Sequence, residues 1–242
     1  MDKELYKQKI HQLVEKIKED PELFSYLFTI VNNTECTSGF IKLQRKKLRQ
    51  KGYMFYKEVN DNNLRNQLIN DYAMMLWYKC TGDIPKMFSF VLFQIENMLN
   101  AFLLTEGSAV YKMIKENPDI YIYKYIYQNS KKEFTISAYD SFFTKKGDAQ
   151  ELEKISIWAK YTYWFVSTQQ NNQFKNYTHS LISDIINFRN ITEHRNSQKE
   201  IKKFLLDKIV YWETNIDSKF GYLDKLLSTI QSTVQQSLST DR

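Results

Sequence analysis

The sequence predicts an all-α fold, and three of its features support that prediction. Glycine and proline are scarce, at 6 and 3 of 242 residues, so few positions favour the tight turns that sandwiches and barrels need. Apolar residues recur at intervals of three and four, which is the spacing of amphipathic helices. Apolar side chains make up 43% of the chain, with 17 tyrosines and 16 phenylalanines, which is enough to fill a sizeable core.

The N-terminal region is predicted to contain four helices, over residues 3–19, 21–32, 38–58 and 61–79. Pro21 separates the first two, because proline fits the first turn of a helix but not its interior. The third helix is strongly basic. Residues 1–83 resemble no known family, and we treat them as an N-terminal helical region of unknown role.

A long apolar helix is predicted over residues 84–115. Thr81-Gly82-Asp83 provides a turn with a capping residue, and Pro85 lies in the first turn of the helix. Polar residues interrupt the apolar run, whereas a membrane span needs about 20 mostly apolar residues. We therefore expect a buried helix and no membrane partner.

The middle of the chain is less regular. Residues 119–127, IYIYKYIYQ, alternate as a strand does, but no partner strand is evident, so a helix or an extended arm is predicted. Residues 130–147 are predicted to be a polar connection. A helix is predicted over residues 149–168.

Two amphipathic helices complete the prediction. The helix over residues 174–190 carries one apolar stripe, formed by Phe174, Tyr177, Leu181, Ile185 and Phe188. The helix over residues 198–238 has near-heptad apolar positions at Leu205, Ile209, Trp212, Ile216, Leu223, Leu226 and Ile230. Both an intramolecular bundle helix and a seam between subunits fit that spacing. Gly221 is a point at which this helix could divide.

Composition limits the classes of function. The net charge of +6 favours polyanionic partners such as RNA. The two cysteines exclude a disulfide framework, and the first ten residues contain no apolar signal core, so we expect a cytoplasmic protein. No cofactor or metal is expected, because the three histidines and the cysteines lack metal-ligand spacing and no glycine-rich phosphate loop is present.

One motif carries recognisable chemistry. The predicted helix 174–190 ends in Arg189-Asn190-Ile191-Thr192-Glu193-His194, and the predicted helix 198–238 follows. In a chain of this composition, this arrangement of arginine, asparagine and histidine is expected by chance about 0.006 times. In pattern and in placement, it resembles the RNxxxH form of the signature of the HEPN superfamily. The resemblance covers about residues 84–215.

The resemblance implies a HEPN-like helical bundle over residues 84–242 and a metal-independent endoribonuclease. In this reaction the ribose 2′-hydroxyl attacks the neighbouring phosphorus and leaves a 2′,3′-cyclic phosphate. His194 is the expected general acid or base, since an imidazole exchanges protons near neutral pH. Arg189 would clamp the phosphate, and Asn190 would orient His194 or the phosphate. Many HEPN proteins act in host defence or as toxins, so such a role is expected.

The spacing of the motif has a geometric consequence. Arg189 and His194 are five residues apart, which is about 140° around an ideal helix. One regular helix therefore cannot point both side chains at one phosphate. HEPN proteins dimerise so that two motifs line one cleft. The resemblance thus implies a homodimer with a composite site; RNA and a regulatory protein are the other expected partners.

Three further residues are expected to support the motif. Many HEPN domains place an acidic or polar residue against the motif arginine, which makes Glu96 the predicted partner of Arg189. A narrow solvent-facing stripe of Glu96, Asn97 and Asn100 explains that residue equally well. Glu193 and Arg195 flank His194 and are the other two supporting residues.

Other interpretations of the motif stay open. A simple helix ending also accounts for it, because Arg189 and Glu193 are spaced for an i,i+4 ion pair and cations complement the helix dipole at a C-terminus. In that case the chain is a plain helical scaffold. Many active HEPN proteins have a small residue where this chain has Arg195. That difference keeps open a non-catalytic HEPN-like module for RNA or nucleotide binding or for dimerisation.

The basic helix 38–58 is a candidate RNA-binding surface. Residues 41–57 contain seven basic residues and no acidic one. The candidate phosphate contacts are Lys42, Arg45, Lys46, Lys47, Arg49 and Lys51. Tyr53, Phe55 and Tyr56 are available by sequence for base stacking. A solvated face of an accessory helix accounts for the same residues equally well.

Overall fold

A computed structural model describes residues 8, 10–12, 14–17, 20, 37–116, 122–126, 133–168, 180–189 and 203–240. These residues are predominantly helical, which confirms the all-α prediction in its coarse form. Of the predicted helix 3–19, residues 10–12 and 14–17 are helical. The predicted helix 21–32 lies outside the described residues.

The elements of known extent are α1 (Thr37–Tyr56), α2 (Asn62–Cys80), α3 (Ile84–Glu116), β1 (Ile122–Ile126), β2 (Glu133–Ser137), α4 (Ala138–Phe142), a 3-10 turn (Leu152–Lys154), α5 (Ile157–Ser167) and α6 (Lys203–Thr240). Residues 180–189 form a further helical segment between α5 and α6. Helices α1, α2 and α3 begin and end within two residues of their predicted limits.

Local capping explains where α2 and α3 begin. Asp61 accepts hydrogen bonds from the backbone N–H groups of Asn63 and Leu64, at 2.8 and 2.9 Å. Asp83 accepts one from the N–H of Lys86 at 3.2 Å, as the sequence predicts. Gly82, with a φ of +73°, forms the turn between the two helices in a conformation that favours glycine.

For residues 119–127, the prediction of a helix or an arm without a partner strand was wrong in the part that is described, because Ile122–Ile126 forms a paired strand. β1 pairs with β2 in antiparallel register, with Tyr123 opposite Ile136 and Tyr125 opposite Phe134. The partner lies within residues 130–147, which were predicted to be only a polar connection. The alternation in β2, Glu133-Phe134-Thr135-Ile136-Ser137, covers only five residues and is a weak strand signal. The fold therefore adds a small hairpin to its helices.

The prediction for residues 149–168 was right in type but wrong at its start. A 3-10 turn occupies Leu152–Lys154, and α5 begins only at Ile157. The Ser156 hydroxyl accepts a hydrogen bond from the N–H of Ala159 at 3.2 Å. Serine at this position satisfies one of the free N–H groups of the first turn and so determines where the helix starts.

The final helix is continuous from Lys203 to Thr240, so Gly221 does not divide it. Its predicted apolar positions from residue 212 onward are buried within the single chain, namely Trp212, Ile216, Leu223, Leu226 and Ile230. That burial supports the interpretation of this part of α6 as an intramolecular helix.

The chain forms two compact units that interleave along the sequence. Unit 1 comprises Met1–Lys57, Gln67–Val91 and Ile185–Lys219, and unit 2 comprises Glu58–Asn66, Leu92–Asp184 and Phe220–Arg242. Each unit therefore contains residues from both sides of the predicted boundary between residues 83 and 84. Helices α2, α3 and α6 each contribute residues to both units.

In unit 1, α1 and α2 form a closely packed antiparallel pair. The ring of Phe55 stacks on Tyr72 at a centroid distance of 4.6 Å, and the Arg45 guanidinium lies 5.5 Å from the Trp77 ring centroid. Gly52 makes the close approach possible, because a β-carbon there would lie 2.8 Å from the backbone oxygen of Ile69. One face of α1 is therefore packed against α2.

In unit 2, aromatic side chains form much of the core. Phe142 packs edge-on against both Tyr111 and Tyr163, with centroid distances of 5.9 Å. The indole N–H of Trp164 donates a hydrogen bond to the Thr233 hydroxyl at 2.7 Å. This bond joins α5 to the C-terminal part of α6 and gives the buried indole N–H a partner.

By length and composition, Ile84–Gly107 in α3 could cross a membrane, with a mean hydropathy of 1.4. However, 61% of its 18 most apolar consecutive residues are buried inside the protein, which is typical of a core helix. The predicted burial of α3 is therefore confirmed.

Candidate functional site

Arg189 lies at the end of the described helical segment 180–189. The predicted apolar positions Leu181, Ile185 and Phe188 are buried, so the stripe that leads to the motif is confirmed where it is described. Arg189 itself is half-buried. Arg189 therefore lies at the end of a helical segment whose apolar side chains are packed in the core.

An aromatic cluster fixes the backbone beside Arg189. Phe188 stacks on Phe88 of α3 with a centroid distance of 4.8 Å, and Phe88 meets Trp212 of α6 edge-on at 4.9 Å. All three side chains are buried in unit 1. Interlocked rings of this kind restrict rotation of a helix about its axis. This packing therefore fixes the orientation of the helical segment about its axis, and with it the direction in which the backbone presents Arg189.

The other motif residues, Asn190, Glu193, His194 and Arg195, lie outside the described residues. Their predicted roles as catalytic and supporting groups stay predictions, as does the composite dimeric site. The described part of the motif is therefore Arg189 with the packing that holds it.

Glu96 has a partner that the sequence analysis did not anticipate. Its carboxylate lies 3.4 Å from the ammonium group of Lys160 on α5. Lys160 is completely buried, whereas the Glu96 side chain is 33% exposed. A buried ammonium group requires a compensating charge, and Glu96 provides it within unit 2. The predicted role of Glu96 beside Arg189 stays a prediction.

A sequence signal for this ion pair did exist. Lys160 is the only charged residue in α5, IWAKYTYWFVS, and Glu96 is the only one in the central part of α3, MFSFVLFQIENMLNAFLL. Single charges of opposite sign in two highly apolar helices indicate a pair, since each would be costly to bury alone.

The candidate RNA-binding residues of α1 lie in different surroundings. Lys46, Arg49 and Lys51 are exposed, and Lys47 is half-buried. Arg45 is exposed too, but its guanidinium lies over Trp77 and so helps to join α1 to α2. Lys42 lies in the helix as predicted.

The three aromatic residues proposed for base stacking also differ. Tyr53 is 54% exposed, so its ring is accessible. Tyr56 is completely buried, and Phe55 is stacked on Tyr72. The prediction for Phe55 and Tyr56 was wrong, because both belong to the side of α1 that packs on α2.

A small polar group lies where α2 ends. Lys79 forms an ion pair with Asp217 of α6 at 2.5 Å, and Cys80 follows it. Burial raises the pKa of the Cys80 thiol, while the charges of Lys79 and Lys51 lower it and that of Asp217 raises it. The net direction is upward, so Cys80 is poorly suited to act as a nucleophile at neutral pH.

The chain was compared with families, characterised proteins and solved structures. None of them matches. Within the described ranges, no group of three or more histidine, cysteine, aspartate or glutamate side chains could hold a metal ion. Any function must therefore be inferred from the residues of this chain.

Proposed function

We propose that the protein is a metal-independent endoribonuclease of the HEPN type that cleaves single-stranded RNA. One observation carries this proposal: an Arg-Asn-x-x-x-His sequence that begins with the last residue of the described helical segment 180–189 and precedes the long helix α6. The placement supports it, because Arg189 lies in a helical segment anchored by Phe188. We further propose a role in host defence or in a toxin-type system, as in many HEPN proteins.

The proposed chemistry is an internal transesterification. His194 or its symmetry mate removes the proton from a ribose 2′-hydroxyl, and that oxygen attacks the adjacent phosphorus. The bond from phosphorus to the 5′-oxygen breaks, and the leaving oxygen receives a proton. Arg189 stabilises the charge that accumulates on the phosphate oxygens, for which a planar guanidinium is well shaped.

A homodimer is part of the proposal. Two-fold pairing would bring two copies of Arg189 and two of His194 around one axis, so that an arginine from one subunit and a histidine from the other act on the same phosphate. This arrangement removes the conflict between the 140° separation on one helix and a single reaction centre.

The test is an RNA cleavage assay in EDTA with purified protein. We expect cleavage of single-stranded RNA, with 2′,3′-cyclic phosphate ends that mass spectrometry detects. Both Arg189→Ala and His194→Ala should reduce the rate at least about 100-fold. Arg189→Lys should recover only part of it, because an ammonium group lacks the two-pronged donor geometry.

Two controls separate catalysis from folding and contamination. His11 is exposed on the N-terminal helix, so His11→Ala should leave cleavage unchanged. Circular dichroism should show the same helical content for every variant. Cleavage that EDTA abolishes, or that survives both motif substitutions, would contradict the proposal.

A non-catalytic binding or dimerisation module is the second candidate, and Arg195 favours it. An additional cation directly after His194 strengthens attraction for phosphate but can also obstruct a cleft. This alternative predicts a folded dimer that retains RNA or nucleotide affinity without turnover. Turnover distinguishes the two candidates: an enzyme should cleave RNA and Arg195→Ala should change its rate, whereas a binding module should show no cleavage and Arg195→Ala should only weaken its affinity.

A further inference from the structure

The outer face of α1 combines cations with exposed non-polar side chains. Lys46, Arg49 and Tyr53 follow one another at one-turn intervals and lie within about 60° around an ideal helix. We call these three residues the α1 stripe. Leu43 and Met54 are exposed beside it, at 46% and 62%.

The packing of α1 on α2 makes this stripe accessible. Gly52 and Phe55 lie against α2, as does the guanidinium of Arg45. The stripe lies about 100° around the helix from this packing side and is exposed. Among the described residues, neither Lys46 nor Arg49 forms an ion pair, and α1 contains no acidic residue.

We infer that the α1 stripe binds single-stranded nucleic acid. Lys46 and Arg49 would contact successive phosphates, and the ring of Tyr53 would stack on a base. This inference deepens the proposed function, since it gives the RNA substrate a binding surface in a region that the motif does not include. It also assigns Arg45 a structural role rather than a place among the principal phosphate contacts.

The composition of the face favours nucleic acid over an anionic membrane. A helix that lies in a membrane surface needs a wide apolar face free to enter the lipid. The buried face of α1, with Leu48 and Tyr56, is already occupied within the protein. Among the side chains of α1 that the structure describes, from Leu43 onward, three large non-polar ones are exposed beside the cations, namely Leu43, Tyr53 and Met54. That arrangement suits an extended single strand of nucleic acid, in which charged phosphates alternate with bases that can stack.

The test measures binding of a fluorescent 2′-O-methyl oligouridine of about 20 nucleotides to the full chain by anisotropy. This probe has no free 2′-hydroxyl, so the wild-type protein binds it without cleaving it. Lys46→Ala with Arg49→Ala should weaken binding about tenfold and should make the slope of log affinity against log salt shallower by about 1.4. Tyr53→Ala should weaken binding about tenfold with the slope unchanged, and Tyr53→Trp should restore it.

A matched control tests whether position or only net charge matters. Lys112 and Lys115 are exposed on α3 with the same three-residue spacing as Lys46 and Arg49. Lys112→Ala with Lys115→Ala should change affinity less than about twofold. An equal loss in both double variants would overturn the inference. Binding to phosphatidylserine vesicles that depends on the stripe, without oligonucleotide binding, would overturn it too.

The outcomes also separate this inference from the proposed function. Stripe-dependent binding without RNA cleavage would support the stripe and contradict the endoribonuclease. Cleavage that depends on Arg189 and His194, with binding unaffected by the stripe variants, would support the endoribonuclease and contradict the stripe.

Discussion

Helices α1 and α5 place their cations in opposite environments. Of the five basic residues of α1 whose side chains are described, four are exposed, whereas the single lysine of α5, Lys160, is completely buried beside Glu96. The exposed cations of α1 are thus available to an external ligand, whereas Lys160 affects only the stability of the core. The position of a charge relative to the apolar face of its helix, rather than its type, decides which role it has.

The first prediction concerns the buried pair and has the largest expected effect. Glu96→Ala should reduce the free energy of unfolding by about 3 kcal/mol, because it leaves a fully buried ammonium group without its counter-charge. Lys160→Met should cost less than about 1 kcal/mol or should stabilise, since it fills the same space without a charge and Glu96 remains partly hydrated. Urea denaturation followed by circular dichroism measures both.

Equal losses of stability in the two variants would show that the attraction between Glu96 and Lys160 itself stabilises the fold. Glu96 would then do more than neutralise a buried charge. The contrast between α5 and α1 would then be weaker than the structure indicates. Lys46→Ala is a reference for an exposed lysine, and we expect it to change stability by less than about 0.5 kcal/mol.

The second prediction concerns the packing that turns the α1 stripe outward. Gly52→Ala should destabilise by about 1–2 kcal/mol, because its β-carbon would meet the backbone oxygen of Ile69 at 2.8 Å and the two helices would have to separate. Gly221 is the matched control, since a β-carbon there meets nothing within 4 Å in the middle of α6. Gly221→Ala should stabilise by about 0.5–1 kcal/mol through helix propensity. Thermal unfolding would reveal the opposite signs, and two changes of the same sign would contradict the proposed close contact.

The third prediction distinguishes cations within α1 and has the smallest effect. Arg45→Ala should destabilise by about 0.5–1 kcal/mol, because it removes the contact with the Trp77 ring. Lys46→Ala with Arg49→Ala should leave stability within about 0.5 kcal/mol while weakening oligonucleotide binding. If Arg45→Ala instead weakened binding as strongly as the double variant did, the division of α1 into a packing side and a binding side would be wrong.

Several parts of the fold could be predicted because their determinants are local. Asp61 and Asp83 supply side-chain oxygens for the first turns of α2 and α3, and such capping depends only on residues within one helical turn. The apolar stripe through Leu181, Ile185 and Phe188 likewise follows from the helical repeat. The predicted start of α5 was wrong, although Ser156 provides the same kind of capping signal.

The candidate site likewise combines features that the sequence predicts with features that depend on the tertiary structure. The Arg189 motif was identified from spacing, but its neighbourhood depends on Phe88 and Trp212, which are about 100 and 23 residues away along the chain. The basic character of α1 was evident from composition. Its division into exposed Lys46 and packed Arg45 depends on how α2 lies against it.

By itself, the sequence determined that the described residues are predominantly helical, where α1, α2 and α3 begin and end, and that a basic helix and an Arg-Asn-x-x-x-His motif are present. These properties follow from periodicity, capping and composition, which act over a few residues. Only the tertiary structure decided that Glu96 pairs with Lys160, that Tyr56 is buried and Phe55 is stacked on Tyr72, and that residues 122–126 find a partner strand. Each of these depends on which distant surface packs against a residue, and close packing is a property of the whole fold.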